Sequence, residues 1–103
     1  MDKTDAINIA QEYAQVIKNN FGFQKLILFG SYAKGNPHKS SDIDIAVVFS
    51  DYNNRLERQV ELMKLTRKID SRIEPHPFRE KEFEMSNPFV NEIMTYGKEI
   101  TAL

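Results

Sequence analysis

The alternation of apolar and polar residues predicts that helices and strands alternate along the chain. Near the start, apolar side chains recur at helical spacing behind the candidate caps Thr4 and Asp5, and this helix is expected to end by Asn20. The apolar runs 25–29 and 43–49 follow, each bounded by turn-forming residues, as is typical of covered strands. The first half of the chain is therefore predicted to hold a helix and two strands, with a short helix between the strands.

A longer helix and a third strand are predicted next. The helix carries an apolar stripe at amphipathic spacing, made of Leu56, Val60, Leu62, Met63, Leu65 and Ile69. Residues 71–74 are then expected to form a strand that is stopped by Pro75 and Pro77, since proline cannot continue a central ladder. Glu74 would lie at the end of this strand.

A last helix completes the pattern. Asn87 and Pro88 form a typical helix start, with proline at the first helical position, and apolar residues follow as far as Gly97. The order of elements favours an α/β (α+β) fold, with a small mixed sheet and flanking helices. Neither a repeat nor a linker interrupts the pattern, so residues 1–103 are expected to form a single domain.

Two motifs beside the first two strands are the candidates for ligand and metal binding. Gly30 and Ser31 follow the first strand, and such a turn leaves N–H groups unpaired, with no β-carbon at the glycine to keep a phosphate away. Ser31 could cap the short helix or contact an anion. Asp42 and Asp44 lie two residues apart at the second strand, so both carboxylates can face one way and share a hard cation. The pattern predicts a phosphate-binding turn beside metal-binding carboxylates.

The stretch from Gly30 to Gly35, followed by Ser40 to Val48, resembles the signature of the minimal nucleotidyltransferases in the DNA polymerase β-like superfamily. The match comprises a Gly-Ser pair, a basic residue shortly after it, and an Asp-x-Asp strand at a set distance. The resemblance covers most of the chain and implies the minimal nucleotidyltransferase fold. It also implies binding of a nucleoside triphosphate such as ATP with Mg²⁺, and transfer of the nucleotidyl group, AMP in the case of ATP, to an acceptor hydroxyl.

The resemblance further implies which residues act. Asp42 and Asp44 are expected to be catalytic metal ligands, and Gly30 and Ser31 to contact the triphosphate. Glu74 falls at the position of the third catalytic and metal-binding carboxylate, where many family members have Asp.

Other candidates at the site are weaker. Asp70 is the rival third carboxylate, and it ranks below Glu74 because it lies where the preceding helix should end. Lys34 and Ser41 are candidate nucleotide-binding residues, although a surface lysine and a loop cap are their plainer interpretations. His76 is assigned no role, and His38 is expected to be an exposed loop residue.

The resemblance also implies a partner protein. Short chains of the family often act with a separately encoded helical protein of the HEPN type, as the antitoxin of a toxin–antitoxin pair. The acceptor would then be a tyrosine of that HEPN partner. The alternative is a binding module with weak turnover that neutralises its partner by forming a complex. The oligomeric state is left open, a homo-oligomer included.

Composition excludes several classes of protein. A net charge of −1 argues against strong nucleic-acid binding, which relies on a positive field. The absence of cysteine excludes thiolate zinc sites, disulfides and thiol catalysis, and suits a cytoplasmic location. No apolar run approaches the ~20 residues of a membrane span, and the chain start lacks a signal-peptide core, so no membrane association is expected.

Two further motifs are incomplete. The run from Gly30 to Gly35 begins like a P-loop, but Asn36 and Pro37 occupy the positions that require Lys and Ser or Thr. The Asp-x-Asp run begins like a calcium loop, but the residues after it lack the Asp or Asn and the Gly that such a loop needs.

Overall fold

The elements alternate along the chain as the apolar pattern predicts. A computed structural model describes residues 2–35 and 42–102. Its helices are α1 (Lys3–Asn20), α2 (Ser31–Lys34), α3 (Arg55–Thr66) and α4 (Pro88–Tyr96). Its strands are β1 (Lys25–Phe29), β2 (Ile43–Phe49), β3 (Ile73–Arg79) and β4 (Lys98–Glu99), and a 3-10 turn (Glu80–Glu82) follows β3. The short strand β4 is an element that the sequence pattern did not predict.

The strands form one mixed sheet in the order β3-β2-β1-β4. β1 pairs antiparallel with both β2 and β4, whereas β2 pairs parallel with β3. The end of β1 therefore lies beside the start of β2, with Phe29 opposite Asp44. The start of β3 lies beside the start of β2 as well, with Glu74 opposite Asp44. Three strand ends thus meet at one end of the sheet.

Each face of the sheet carries its own core. The larger core joins one set of alternating strand residues to α1, α2 and α3, and includes Tyr13, Ile17, Leu26, Leu28, Tyr32, Ile43, Ile45, Val47 and Leu62. The smaller core joins the other set to α4, and consists of Ile27, Phe29, Ala46, Val48, Phe78, Val90 and Ile93. No helix in the described part of the chain is long and apolar enough to cross a membrane.

The predicted end of the third strand is wrong. β3 continues through both prolines, and Glu74 lies near its start rather than at its end. β3 is an edge strand, and the carbonyls of Pro75 and Pro77 point away from β2: they accept hydrogen bonds from Gln59 Nε2 at 2.7 Å and from Arg55 Nη2 at 3.0 Å. The N–H groups that proline lacks would have faced the same way, so β3 loses no ladder bond to β2.

The first helix begins with a different cap from the predicted one. Asp2 is the N-cap, and its Oδ1 accepts a hydrogen bond from the Asp5 N–H at 2.9 Å. The Asp5 carboxylate in turn accepts from the Asp2 N–H at 3.4 Å, which completes a capping box. The predicted end at Asn20 is confirmed.

The longer helix is shorter than predicted, and its apolar stripe is divided between two surfaces. α3 ends at Thr66. Leu62 is fully buried against the larger core, whereas Leu56, Val60 and Met63 are 73%, 44% and 42% exposed. Only part of the stripe therefore packs within this chain, and the three exposed side chains form an apolar surface row on α3.

A buried hydrogen bond between α1 and α3 generates the first prediction. The Tyr13 hydroxyl donates to the Leu62 carbonyl at 2.8 Å within the larger core. Removing the hydroxyl in Tyr13→Phe should lower the free energy of unfolding by about 1 kcal/mol, measured by urea denaturation, because the buried bond is lost. Tyr96→Phe is the control, since Tyr96 is 58% exposed. Equal effects of the two variants would contradict this account of Tyr13.

Candidate active site

Acidic side chains gather where the three strand ends meet. Ile43 and Ile45 are fully buried in the larger core, so Asp44 between them points to the opposite face of the sheet, as predicted. Asp44 is half-buried, and its partner across the parallel pair is the exposed Glu74. Asp42, directly before β2, is exposed. The structure therefore brings together the carboxylates that the sequence singled out.

A histidine joins this group. Asp44, Glu74 and His76 each offer one ligand atom, and these atoms all lie within 4.8 Å of one another. His76 Nε2 is 3.3 Å from Asp44 Oδ1. Sequence reasoning considered a metal or general-base role for His76 but assigned it none, because a single histidine in a rigid loop between prolines is more often structural. Had the strand been continued, the two-residue spacing would have placed His76 on the same face as Glu74.

The electrostatics of the site show that negative charge is crowded there. The pKa of Glu74 is raised, first by partial desolvation of its carboxylate, and further by a hydrogen bond with the Asp42 side chain and by the negative charges of Asp44 and Asp42. His76 opposes this shift. Carboxylate oxygens are the ligands that Mg²⁺ prefers, and a bound cation would offset the negative charges of Asp42 and Asp44.

Gly30 lies against the carboxylate of Asp44. Its φ of 77° and ψ of −155° fall in a region that glycine adopts almost alone. A β-carbon built at Gly30 would collide with Asp44 Oδ2. Gly30 is also the N-cap of α2, without any side-chain cap bond, so Ser31 does not act as the cap that the sequence allowed. The Gly-Ser turn therefore adjoins the acidic group, and the contact of Ser31 with an anion stays a prediction.

Lys34 is directed towards α4. Its Nζ is 2.9 Å from Glu92 Oε1 and 5.1 Å from the centre of the Tyr96 ring. The hydrogen bond with Glu92 raises the pKa of the Lys34 amine. A contact of Lys34 with the triphosphate stays a prediction. Ser41 and His38 lie outside the described residues.

Asp70 is engaged elsewhere. Its two carboxylate oxygens accept hydrogen bonds from the Arg72 side chain at 2.7 and 3.0 Å, and Oδ1 also accepts from the Arg72 N–H at 2.9 Å. The side-chain hydrogen bond with Arg72 lowers the pKa of Asp70. Asp70 thus has a structural partner, whereas Glu74 faces Asp44 across the strand pair.

The family of the chain follows from comparison with known proteins. The family described as "Polymerase beta, Nucleotidyltransferase" matches residues 11–102. The chain belongs to this family. The resemblance carried by the Gly-Ser and Asp-x-Asp motifs is confirmed.

Relatives and solved structures agree with this membership. The chain is 34% identical over 77 residues to the protein adenylyltransferase MntA of Shewanella oneidensis, an alignment that covers 75% of this chain and 52% of MntA. The chain thus spans about half the length of that relative. A chain in the crystal structure of a toxin–antitoxin with AMP-PNP is 27% identical with a TM-score of 0.66, over 100% of this chain and 75% of that one. A chain in a mutant of the toxin–antitoxin MntA-HpeT is also 27% identical, with a TM-score of 0.63, over 100% and 74%. The predicted minimal nucleotidyltransferase fold, a small mixed sheet with flanking helices, is confirmed.

The contact between Gly30 and Asp44 generates the second prediction. Gly30→Ala should destabilise the fold and weaken Mg²⁺-ATP binding by about tenfold or more, because the new methyl displaces the Asp44 carboxylate. Gly22→Ala is the matched control: Gly22 also has a positive φ, 73°, but its added methyl would meet no atom within 4 Å. Calorimetric titration of both variants with Mg²⁺-ATP measures the difference. Unchanged binding in Gly30→Ala would count against the site.

Proposed function

We propose that this chain is an ATP- and Mg²⁺-dependent nucleotidyltransferase that transfers AMP to a hydroxyl group of a partner protein. The observation that carries the proposal is the convergence of Asp42, Asp44 and Glu74 beside the Gly30-Ser31 turn at one end of the sheet. Membership of the nucleotidyltransferase family supports the reaction class.

The residues of the site have distinct tasks in this reaction. Asp42, Asp44 and Glu74 would hold divalent cations, which lower the pKa of an acceptor hydroxyl and stabilise charge on the leaving group when bound. The Gly30-Ser31 turn would bind the triphosphate through backbone N–H groups and the serine hydroxyl. The acceptor oxygen forms a bond to the α-phosphorus, the bond from the α-phosphorus to pyrophosphate breaks, and the hydroxyl proton passes to solvent. AMP is thereby joined to the acceptor.

The acceptor we propose is a tyrosine of a HEPN-type toxin, with this chain as its antitoxin in the cytoplasm. Two similarities support a modified protein partner. MntA is named a protein adenylyltransferase, and the structure with a TM-score of 0.66 is that of a toxin–antitoxin with AMP-PNP. Because the chain spans about half of MntA, the partner and the acceptor are part of the proposal.

A second function is favoured by the surface of α3. Leu56, Val60 and Met63 form an exposed apolar row, which is typical of a surface that binds another protein. In this alternative, the chain neutralises its partner by occlusion. Its turnover is weak because Glu74 stands where many family members have Asp as the third carboxylate.

The third prediction tests Glu74 against its rival. Glu74→Gln should reduce AMP transfer by orders of magnitude and leave the Tm nearly unchanged, because it removes a ligand charge at an exposed position. Transfer is measured with radiolabelled ATP, Mg²⁺ and a HEPN-type partner, with EDTA as the metal-free control. Asp70→Asn should retain transfer. The reverse ranking would move the third carboxylate to Asp70.

The control variant Asp70→Asn should also change the Tm in a pH-dependent way. Arg72 lowers the pKa of Asp70 in the folded state, so this pair stabilises the fold above the ordinary carboxyl pKa. That contribution is lost as the pH falls through the lowered pKa. The Tm of Asp70→Asn should therefore lie below that of the wild type at neutral pH, and the difference should shrink below about pH 4.

The fourth prediction separates the enzyme from the occluding module. The double variant Asp42→Asn with Asp44→Asn removes two anionic ligands and preserves shape, so it should bind the partner in a pull-down but fail to neutralise it in a growth assay. Neutralisation as effective as that of the wild type would show that modification is not the mechanism. The occluding module would then be the function.

A further inference from the structure

His76 occupies a defined place beside the carboxylates. It lies on β3 two residues after Glu74, and its side chain is half-buried on the face that carries α4. The centre of its ring is 5.1 Å from that of Phe29 and 6.0 Å from that of Phe89. The two phenylalanine rings restrict the imidazole, so its Nε2 is held towards Asp44.

The distances fit two atoms that share one cation. The 3.3 Å between His76 Nε2 and Asp44 Oδ1 allows a hydrogen bond when no cation is bound. It is close to the separation of about 3 Å between neighbouring ligands that each lie about 2.1 Å from one octahedral ion. A Glu74 oxygen completes the group, with all three ligand atoms within 4.8 Å of one another.

We propose that His76 is a nitrogen ligand of the divalent cation at this site and gives the site a preference for a transition-metal ion such as Mn²⁺ over Mg²⁺. The inference rests on the proposed function, because the same carboxylates hold the cation. Imidazole nitrogen suits transition-metal ions more than Mg²⁺, which prefers oxygen ligands and readily retains water in their place. Mn²⁺ is the weakest binder of the divalent first-row series, so it sets a lower bound on this preference. The histidine therefore adds more to the binding of Mn²⁺ than to that of Mg²⁺.

The test observes the coordination directly, independently of activity. Pulsed electron paramagnetic resonance of Mn²⁺ bound to the wild-type chain, without nucleotide, should show coupling to a directly bound nitrogen. The coupling should change to that of ¹⁵N when only the histidines carry this isotope. No variant is needed for this measurement, and no nucleotide nitrogen contributes to the signal.

Variants then assign the nitrogen to one of the two histidines of the chain. His76→Phe keeps an aromatic ring beside Phe29 and Phe89, and it should abolish the coupling and weaken Mn²⁺ binding by about tenfold or more. Its effect on the Kd for Mg²⁺ should be smaller. His38→Gln is the control and should keep both the coupling and the affinity. His76→Gln replaces His76→Phe if the latter does not fold.

The other outcomes overturn the inference in distinguishable ways. Bound Mn²⁺ without histidine coupling, at an affinity that Asp44→Asn reduces, would show a carboxylate site without His76 and leave the proposed function standing. Coupling that persists in His76→Phe and vanishes in His38→Gln would assign the ligand to His38. No binding of Mn²⁺ or Mg²⁺, with or without ATP, would overturn the inference and the proposed function together.

Discussion

The parallel pairing of β2 with β3 is the constraint on which the site depends. The register sets Ile43 opposite Ile73 and Asp44 opposite Glu74. A shift of one residue would turn Glu74 towards the larger core and Ile73 towards solvent, and both Ile43 and Ile73 are buried. The apolar residues of one face therefore fix the register, and the register in turn sets the carboxylates of the other face side by side.

The geometry of the site opposes the stability of the fold. Desolvation of the Glu74 carboxylate, and then the negative charges of Asp44 and Asp42, disfavour its ionised form and raise its pKa. Gly30 also holds a backbone conformation that other residues avoid. The apolar cores on both faces of the sheet offset this cost. A cation bound among the carboxylates would stabilise the same arrangement. Such opposition between local strain and global packing is typical of functional sites.

The carboxylates and the buried side of α3 lie on opposite faces of the sheet. α3 packs through Leu62 on the face that carries α1, whereas Asp44 and His76 lie on the face that carries α4. Leu56, Val60 and Met63 stay exposed on α3 and belong to neither core. In the proposed function, the exposed row of α3 would bind the partner and the carboxylates would take part in its modification.

The sequence by itself determined the order of the four helices and the first three strands, the Gly-Ser turn and the Asp-x-Asp pair, because these follow from local periodicity and spacing. Only the tertiary structure decided what the prolines do. Pro75 and Pro77 end a central strand but are tolerated at an edge, and the sequence does not state which side of a strand is paired. The pairing of β3 with β2 also places His76 beside Asp44, although the two residues are 32 positions apart in the sequence. The division of the α3 stripe between core and surface was likewise decided by packing, since apolar spacing does not tell which partner covers an apolar side chain.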